Sequence, residues 1–327
     1  FKMMVGDMVN EKQKGLAYSI QSFLCNAGSL VGFLFPFIFT WIGISNIAPQ
    51  GVVPDSVIYS FYIGAAILIL CVIYTTVKVK EMPPAEYAEY HGITEEEKKE
   101  KINMVKLLVK APKAFWTVGL VQFFCWFAFM FMWTYTNGSV AANVFDAPTV
   151  ETVVNGASKI VLDTKSIQYQ NAADWVGVLF AVQAIGSVLW AVCIPMFKNR
   201  KLIYSLSLVL GGIGFISTYF VHNQYVLFIS FLLIGCAWAA MLALPFTILT
   251  NALSGGHMGT YLGLFNGTIC IPQIVAATLG GSILALFTPK GMLPPEINML
   301  VMAGVMLIIG AVCVYLIKET KGEQAKA

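Results

Sequence analysis

Residues 225–250 read YVLFISFLLIGCAWAAMLALPFTILT and contain no charged side chain. An α-helix rises about 1.5 Å per residue, so about 20 apolar residues cross the hydrocarbon core of a bilayer. The whole 327-residue chain has a similar character, with 58% hydrophobic and 11% charged residues. A typical soluble domain has about 25% charged residues. The composition therefore excludes a soluble enzyme, a nucleic-acid-binding protein and a disordered chain.

Seven further apolar stretches resemble this one, and together they predict an all-α membrane protein with eight transmembrane helices. The predicted spans cover about residues 16–43, 57–77, 114–136, 172–197, 202–221, 225–250, 260–287 and 297–317. If the first span begins in the cytoplasm, 17 of the 20 Lys and Arg residues fall on the cytoplasmic side. Basic residues accumulate in cytoplasmic loops. We therefore expect a multi-pass protein of the cell membrane with both visible ends in the cytoplasm.

Two stretches of the chain, 15–36 and 259–280, have similar patterns. Each begins with Gly and carries polar or small side chains at positions i, i+4 and i+7, which lie on one face of a helix. The matched triplets are Ser22, Asn26 and Ser29 in the first stretch and Asn266, Cys270 and Gln273 in the second. The stretches belong to predicted spans that are six apart. A parallel repeat of six spans is typical of the major facilitator fold, which has two six-helix halves.

The repeat also predicts how the chain is divided. The eight visible spans become helices 5–12 of a twelve-helix architecture, so we expect a fragment that lacks about the first four helices. Residues 1–77 are then the end of the N-terminal half, and residues 113–327 are the C-terminal half. The charged segment 78–112 is predicted to be a cytoplasmic linker with an amphipathic helix, because a capped start at Thr94 precedes apolar residues at helical spacing.

Two blocks of sequence resemble a known family. The first-half block includes FKMMVGDMV at 1–9, KQKG at 12–15 and YSIQSF at 18–23. The second-half block includes LPFT at 244–247, GLFN at 263–266 and Pro272-Gln273. These blocks resemble the sucrose- and maltose-type sugar:proton symporters, the glycoside–pentoside–hexuronide branch of the major facilitators. The resemblance implies uptake of a disaccharide driven by H⁺, with no cofactor other than the coupling ion.

Neutral polar and aromatic side chains recur on single helix faces in the predicted spans. All Asp, Glu, Lys, Arg and His residues lie in loops or near span ends, and this favours a neutral substrate. Amide groups both donate to and accept from sugar hydroxyls, and aromatic faces stack on the C–H faces of a sugar ring. We predict that the sugar site is formed by Gln122, Trp126, Trp133, Gln183, Trp238, Asn266 and Gln273.

Each of these residues also has a structural interpretation. Tryptophan populates the membrane interface, and Asn, Gln and Ser join transmembrane helices. For Trp133, near the predicted outer end of its span, the interfacial interpretation has equal weight. At the cytoplasmic turns, Asp7, Lys14 and Arg200 are predicted to form a conformational lock whose ion pairs exist in only one state of the transport cycle.

Taken together, these patterns predict a monomeric secondary active transporter whose partners are a neutral sugar and the lipid bilayer. No metal-ligand spacing is found among the seven Cys residues, all of which lie in predicted spans, and no catalytic pair indicates an enzyme. No nucleic-acid partner is expected. Two alternatives remain open at this point: a major facilitator that exports drugs or lipophilic compounds, and a non-transporting membrane sensor on the same fold.

Overall fold

The computed structural model describes residues 9, 13–44, 53, 55–80, 83, 86, 104–154, 157–252, 258–289 and 291–317. In chain order the elements are α1 (Lys14–Trp41), α2 (Asp55–Lys78), α3 (Met104–Val109), α4 (Lys113–Asn143), β1 (Thr149–Val154), β2 (Ala157–Leu162), α5 (Ile167–Cys193), α6 (Arg200–Ser217), α7 (Leu227–Ala252), α8 (Met258–Phe265), α9 (Gly267–Phe287) and α10 (Ile297–Cys313). Short 3₁₀ turns extend α5 and α10.

Seven candidate membrane spans lie in the part of the chain that the structure describes. They are α2, α4, α5, α6, α7, the α8–α9 pair and α10, and they confirm an all-α membrane protein. The sequence predicted eight spans. The remaining helix, α1, has 28 residues and is about 42 Å long at 1.5 Å per residue, but it is not among the seven. That α1 crosses the membrane therefore remains a prediction.

The helix ends form two opposite faces of the bundle. The basic end is the face where Lys14, Lys78, Lys113 and Arg200 begin or end helices. The hairpin end is the face where β1 and β2 lie between α4 and α5. We use these two names because the side of the membrane that each end faces is a prediction from charge alone.

The core of the bundle lies around α4 and α7. In each of these helices 67% of the most apolar window is buried, against 6% in α2. Helix α7 packs against α5 and α6, while α10 packs against α4 and α6. Helix α1 packs against α5, where the ring centroids of Phe33 and Phe180 are 5.8 Å apart. The apolar side chains of α2 face outward, an arrangement that a bilayer stabilises.

Small residues let α5 and α7 approach each other closely. A Cβ added at Gly186 would lie 2.6 Å from the carbonyl oxygen of Leu232, and one added at Gly235 would collide with the backbone of Gln183. Helix pairs in membranes use such residues because their backbones can then come into contact. The crossing fixes the position of Gln183 relative to the part of α7 that carries Trp238.

The hairpin end differs from the prediction in two ways. Helix α4 continues to Asn143, whereas the apolar pattern placed the end of its span at about residue 136. The connection to α5 then forms an antiparallel hairpin in which Thr149 pairs with Leu162 and Val154 with Ala157. The base of the hairpin is held by a backbone hydrogen bond of 2.8 Å from the amide of Asp163 to the carbonyl of Pro148.

The predicted span 260–287 is interrupted. Helix α8 ends at Phe265, Asn266 forms a turn, and α9 begins at Gly267. Glycine has poor helix propensity, so Gly263 and Gly267 on either side of Asn266 lower the cost of this interruption. The break is local, because Asn266 keeps helical backbone angles (φ −59°, ψ −24°) and its carbonyl accepts hydrogen bonds of 3.0 Å from the amides of Ile269 and Cys270. The chain is therefore helical from Asn266 to Gln273, as the i and i+7 spacing predicted.

Little of the predicted linker lies within the described residues. Helix α3 and the residues from 104 onward are described, whereas Thr94 and the predicted helix start are outside them. The hydroxyl of Tyr261 in α8 donates a hydrogen bond of 3.3 Å to the carbonyl of Leu107, so α3 contacts the basic end of the bundle. The boundaries predicted at residues 77 and 113 remain predictions.

Candidate functional site

Four aromatic side chains of α4 and α7 meet in the bundle, and we call Trp126, Phe129, Trp133 and Trp238 the tryptophan cluster. The ring centroid of Trp238 lies 5.7 Å from that of Trp126, 5.7 Å from that of Trp133 and 4.9 Å from that of Phe129. Aromatic pairs attract each other at centroid distances of about 4.5–7 Å. The structure thus brings together all three tryptophans that the sequence assigned to the predicted site.

The tryptophan cluster lies near the middle of its two helices. Trp126 is about 20 Å along α4 from Lys113, and Trp133 is about 15 Å before Asn143, at 1.5 Å per residue. Trp238 has a similar central position in α7. Trp133 itself is about 30 Å along α4 from Lys113, which is the thickness of the hydrocarbon core, so its interfacial interpretation keeps equal weight although α4 continues to Asn143.

One side of the tryptophan cluster is packed and the other is accessible. Phe129 is fully buried and its ring meets the edge of Phe215 from α6, with centroids 5.8 Å apart. Trp126 is buried with 8% exposure, Trp238 is half-buried, and Trp133 has 43% of its surface exposed. The cluster is therefore rigid on the α6 side and presents aromatic surface on the other.

Gln122 connects α4 to α7 next to the tryptophan cluster. Its side-chain Nε2 donates a hydrogen bond of 3.0 Å to the carbonyl oxygen of Met241. In a regular helix this carbonyl would accept from residue 245, but Pro245 has no backbone N–H. The amide of Gln122 therefore satisfies a carbonyl that proline leaves unpaired, as neighbouring helices do in membranes. This bond gives Gln122 a positioning role that sequence spacing did not reveal.

Two buried polar atoms beside the rings have no hydrogen-bond partner among the described residues. They are Oε1 of Gln122 and Nε1 of Trp126, one helical turn apart on α4. The first is an acceptor and the second a donor. A buried polar atom without a partner costs about 1–3 kcal/mol, so a pair of them needs an explanation. Binding of a ligand that offers both a donor and an acceptor would provide one, provided that the side chains covering the two atoms move aside, because neither atom is accessible in this structure.

Gln183 lies close to this region but is not shown to touch the rings. Its side chain is buried on α5, and its backbone packs against Gly235, one turn before Trp238. Further along the same face, Nε1 of Trp190 donates a hydrogen bond of 2.8 Å to the hydroxyl of Ser207 in α6. This bond directs Trp190 away from the tryptophan cluster.

Asn266 and Gln273 are not joined to the tryptophan cluster by any contact found within the described residues. Asn266 is exposed at the turn between α8 and α9, and Gln273 is half-buried on α9. The neighbouring Phe265 is fully buried and belongs to a different aromatic group. Assignment of Asn266 and Gln273 to the site therefore still rests on the sequence pattern.

That second group lies toward the basic end, and we call Tyr18, Phe115, Phe246 and Phe265 the basic-end cluster. Centroid distances are 6.3 Å between Tyr18 and Phe246, 5.7 Å between Phe246 and Phe265, and 5.7 Å between Phe115 and Phe265. None of the four side chains is more than 3% exposed. The cluster joins α1, α4, α7 and α8. It therefore fills the part of the bundle between the tryptophan cluster and the basic end.

The predicted lock cannot be assembled from the described residues. Asp7 lies outside them, as does the side chain of Lys14, although Lys14 is the first residue of α1. Arg200 is half-buried at the first position of α6 and has an interaction with another residue. The lock remains a prediction.

Two buried polar side chains were not included in the predicted site. Asn26 of α1 is fully buried, and its Nδ2 donates a hydrogen bond of 2.7 Å to the carbonyl of Ser22, while its Oδ1 has no partner within the described residues. The polar stripe on α1 was the signal that could have identified it. Glu296 is half-buried immediately before α10, and burial raises the pKa of its carboxyl group to about 7. Its proximity to a span end had suggested an ordinary loop charge.

No group of three or more His, Cys, Asp and Glu side chains that could hold a metal ion is found among the described residues. The side chains at the tryptophan cluster itself supply aromatic faces, one indole N–H and one amide oxygen. These groups bind a ligand by stacking and hydrogen bonding.

The profile of the Major Facilitator Superfamily matches residues 2–162 and, in a second match, residues 142–327. Together the two matches cover almost the whole chain. The comparison with curated proteins gave no match.

Proposed function

The chain belongs to the Major Facilitator Superfamily, and from this membership we propose that it is a secondary active transporter of a neutral sugar. The resemblance to glycoside–pentoside–hexuronide symporters supports a disaccharide such as sucrose or maltose as the substrate and H⁺ as the coupling ion. The observation that carries the proposal is the tryptophan cluster, beside which two polar atoms have no partner among the residues that the structure describes.

The chemistry of a sugar matches these groups. A pyranose ring has C–H faces that stack on Trp133 and Trp238, whose rings are partly accessible. A sugar hydroxyl is both a donor and an acceptor, so it could donate to Oε1 of Gln122 and accept from Nε1 of Trp126 once the side chains that cover these two buried atoms move aside. Gln183, Asn266 and Gln273 are proposed as further ligands from α5 and the α8–α9 pair.

The absence of charge along these helices supports a neutral substrate. No Asp, Glu, Lys, Arg or His occurs from Ala114 to Asn143 in α4 or anywhere in α7. An anionic or cationic substrate held in the membrane would need a charged partner there, because isolated charges are costly at that depth. A sugar has no such requirement.

The remaining parts of the proposal concern the transport cycle. We propose alternating access in a monomer of the cell membrane, with the basic end in the cytoplasm, as the distribution of Lys and Arg supports. Asp7, Lys14 and Arg200 would then form ion pairs at the cytoplasmic end in only one of the two states. Residues 1–77 and 113–327 would belong to the two moving halves, joined by the linker 78–112.

The test is uptake of radiolabelled sucrose and maltose by proteoliposomes that contain the full-length protein. We expect accumulation when the outside is acidic relative to the inside, and loss of accumulation when an ionophore dissipates the proton gradient. Lactate, an anion, should not compete with the sugar. Absence of sugar uptake in protein with an intact unfolding transition would contradict the proposal.

Export of lipophilic compounds is the competing function, because aromatic rings also bind apolar molecules. The unpartnered amide oxygen and indole N–H favour the sugar, since an apolar compound would leave both unsatisfied. Extrusion of a lipophilic dye from the same vesicles, without sugar uptake, would establish the exporter instead.

A further inference from the structure

Glu296 occupies a notch between two helices at the hairpin end. It follows Pro294 and Pro295 and immediately precedes α10, where its amide donates a hydrogen bond of 2.9 Å to the carbonyl of Pro294. Its carboxyl group lies directly over Gly138 of α4, so that any side chain at position 138 would overlap it. Because only glycine leaves this space open, the notch and the carboxyl group fit each other.

A third helix, α9, also reaches the notch. It contacts the hydroxyl of Tyr135, which lies one turn before Gly138 on α4. A Cβ added at Gly280 of α9 would lie 2.6 Å from it. The ends of α4, α9 and α10 therefore meet here, and we call Tyr135, Gly138, Gly280 and Glu296 the hairpin-end seam.

The charges around Glu296 are few. Tyr135 is the titratable group of α4 that interacts with it. Helices α9 and α10 have no Asp, Glu, Lys, Arg or His in their sequences, and their cysteines, Cys270 and Cys313, are near the basic end. No ion pair of Glu296 is found among the described residues, and Lys290 is not one of these.

We propose that Glu296 is a proton-binding site whose occupancy determines whether the hairpin-end seam between α4 and α10 is closed. With a proton bound, the neutral carboxyl group remains in the notch at Gly138. Without it, the carboxylate is partly shielded from water and has no cation partner among the described residues, so it leaves the notch and the seam loosens.

The pH at which this occurs follows from the environment. Burial favours the protonated form and raises the pKa of Glu296 from 4.5 to about 7. A raised folded-state pKa means that the stabilisation of the closed seam is complete below 4.5 and is lost as pH rises through about 7. Glu296 precedes the span that begins at Ile297, so the proton can arrive from the aqueous phase.

A link between this proton and the substrate follows from α4, and it rests on the proposed function. Trp133 and Gly138 are five residues apart on the same helix, about 7.5 Å along its axis. Movement of the end of α4 would therefore shift Trp133 relative to Trp238. Proton binding at Glu296 would in this way change the sugar site without touching the sugar.

The first test is infrared titration of the full-length protein in lipid vesicles, without sugar. We expect a protonated-carboxyl band that titrates with a midpoint near 7, disappears in Glu296→Gln and persists in Glu151→Gln, a control that alters an exposed carboxylate of β1. A difference spectrum between the wild type and Glu296→Gln that has no titrating carboxyl band, or a band with a midpoint near 4.5, would overturn the proposal.

The second test is hydrogen exchange of the hairpin ends of α4 and α10 on either side of the midpoint, corrected for the intrinsic pH dependence of exchange. Wild-type protein should lose protection at the higher pH, whereas Glu296→Gln should remain protected at both. Gly138→Ala, which fills the notch, should lower protection at both pH values. Equal protection of the wild type at both pH values would contradict the proposal. Neither measurement uses sugar. The two results would therefore remain valid even if the protein took up no sugar.

Discussion

The tryptophan cluster and the basic-end cluster are built from the same kind of side chain on two of the same helices, yet they differ in what surrounds them. Both use α4 and α7, and both have ring centroids about 5–6 Å apart. In the basic-end cluster every side chain is at most 3% exposed. In the tryptophan cluster Trp133 is 43% exposed, and two polar atoms beside the rings have no partner within the described part of the chain.

This difference shows that aromatic content alone does not mark a binding site. Closely packed rings without accessible surface hold helices together, and they have nothing left to offer a ligand. Accessible rings with an unused donor and acceptor can still form interactions. We therefore assign stability mainly to the basic-end cluster and recognition to the tryptophan cluster.

The largest expected effect is on the basic-end cluster. Phe265→Ala removes a fully buried ring that contacts Phe115 and Phe246 from two other helices. We expect a loss of about 3–5 kcal/mol in the free energy of unfolding, because a cavity remains among packed helices. Thermal unfolding in detergent measures this, while the sugar affinity of the folded fraction should stay unchanged. A variant of wild-type stability with weakened sugar binding would reverse the assignment of the two clusters.

The next effect is on the tryptophan cluster. Trp133→Ala removes an accessible ring, and we expect sugar affinity to fall at least tenfold, equivalent to about 1.4 kcal/mol, with a smaller loss of stability than in Phe265→Ala. The matched control is Trp116→Ala, since Trp116 lies on the same helix near the basic end and is 55% exposed. Binding titrations of the full-length protein should separate the two variants. If the two variants bind the sugar with equal affinity, Trp133 does not belong to the site.

A smaller effect tests the connection between α4 and α7. Gln122→Leu leaves the carbonyl of Met241 unpaired, and we expect a loss of stability of about 0.6–2 kcal/mol. Pro245→Ala restores a backbone N–H that can donate to this carbonyl. The double variant should therefore recover part of the loss, and a double-mutant cycle on thermal unfolding measures that coupling. Strictly additive effects would show that the hydrogen bond does not compensate for Pro245.

The smallest effect is expected for a substitution on α2, a helix that contributes to neither cluster. Ser60→Ala changes a side chain on α2 whose hydroxyl, within the described residues, donates a hydrogen bond to the carbonyl of Ser56 in the same helix. We expect a change in the free energy of unfolding within about 0.5 kcal/mol and no change in sugar affinity. A large effect on either quantity would mean that α2 contributes to the site, contrary to the present assignment.

The sequence was most informative where a pattern had one physical interpretation. Apolar length predicted seven spans that the structure has, and the spacing of Trp126 and Trp133 placed both on the face that meets Trp238. The end of α4 was predicted too early, because hydropathy reports where apolar residues stop and not where backbone hydrogen bonds stop. The β-branched run from Thr149 to Val154, followed by Asn-Gly, was a hairpin signal that went unused.

Other features depended on contacts between distant parts of the chain. That Met241 accepts from Gln122 follows from Pro245 only when α4 is known to lie beside α7. The burial of Glu296 likewise depends on a glycine more than 150 residues away. Spacing could not show the single turn residue, Asn266, between α8 and α9, because the residues around it are as apolar as a continuous span.

The central claim is that the tryptophan cluster binds the sugar, and oxidative footprinting of the unaltered full-length protein tests it most directly. Hydroxyl-radical labelling followed by mass spectrometry reports the accessibility of each tryptophan with and without saturating maltose or sucrose. We expect a bound sugar to protect Trp133 and to leave the labelling of Trp116, which is exposed on the same helix, unchanged. Equal labelling of Trp133 with and without sugar, under conditions where binding is saturated, would contradict it.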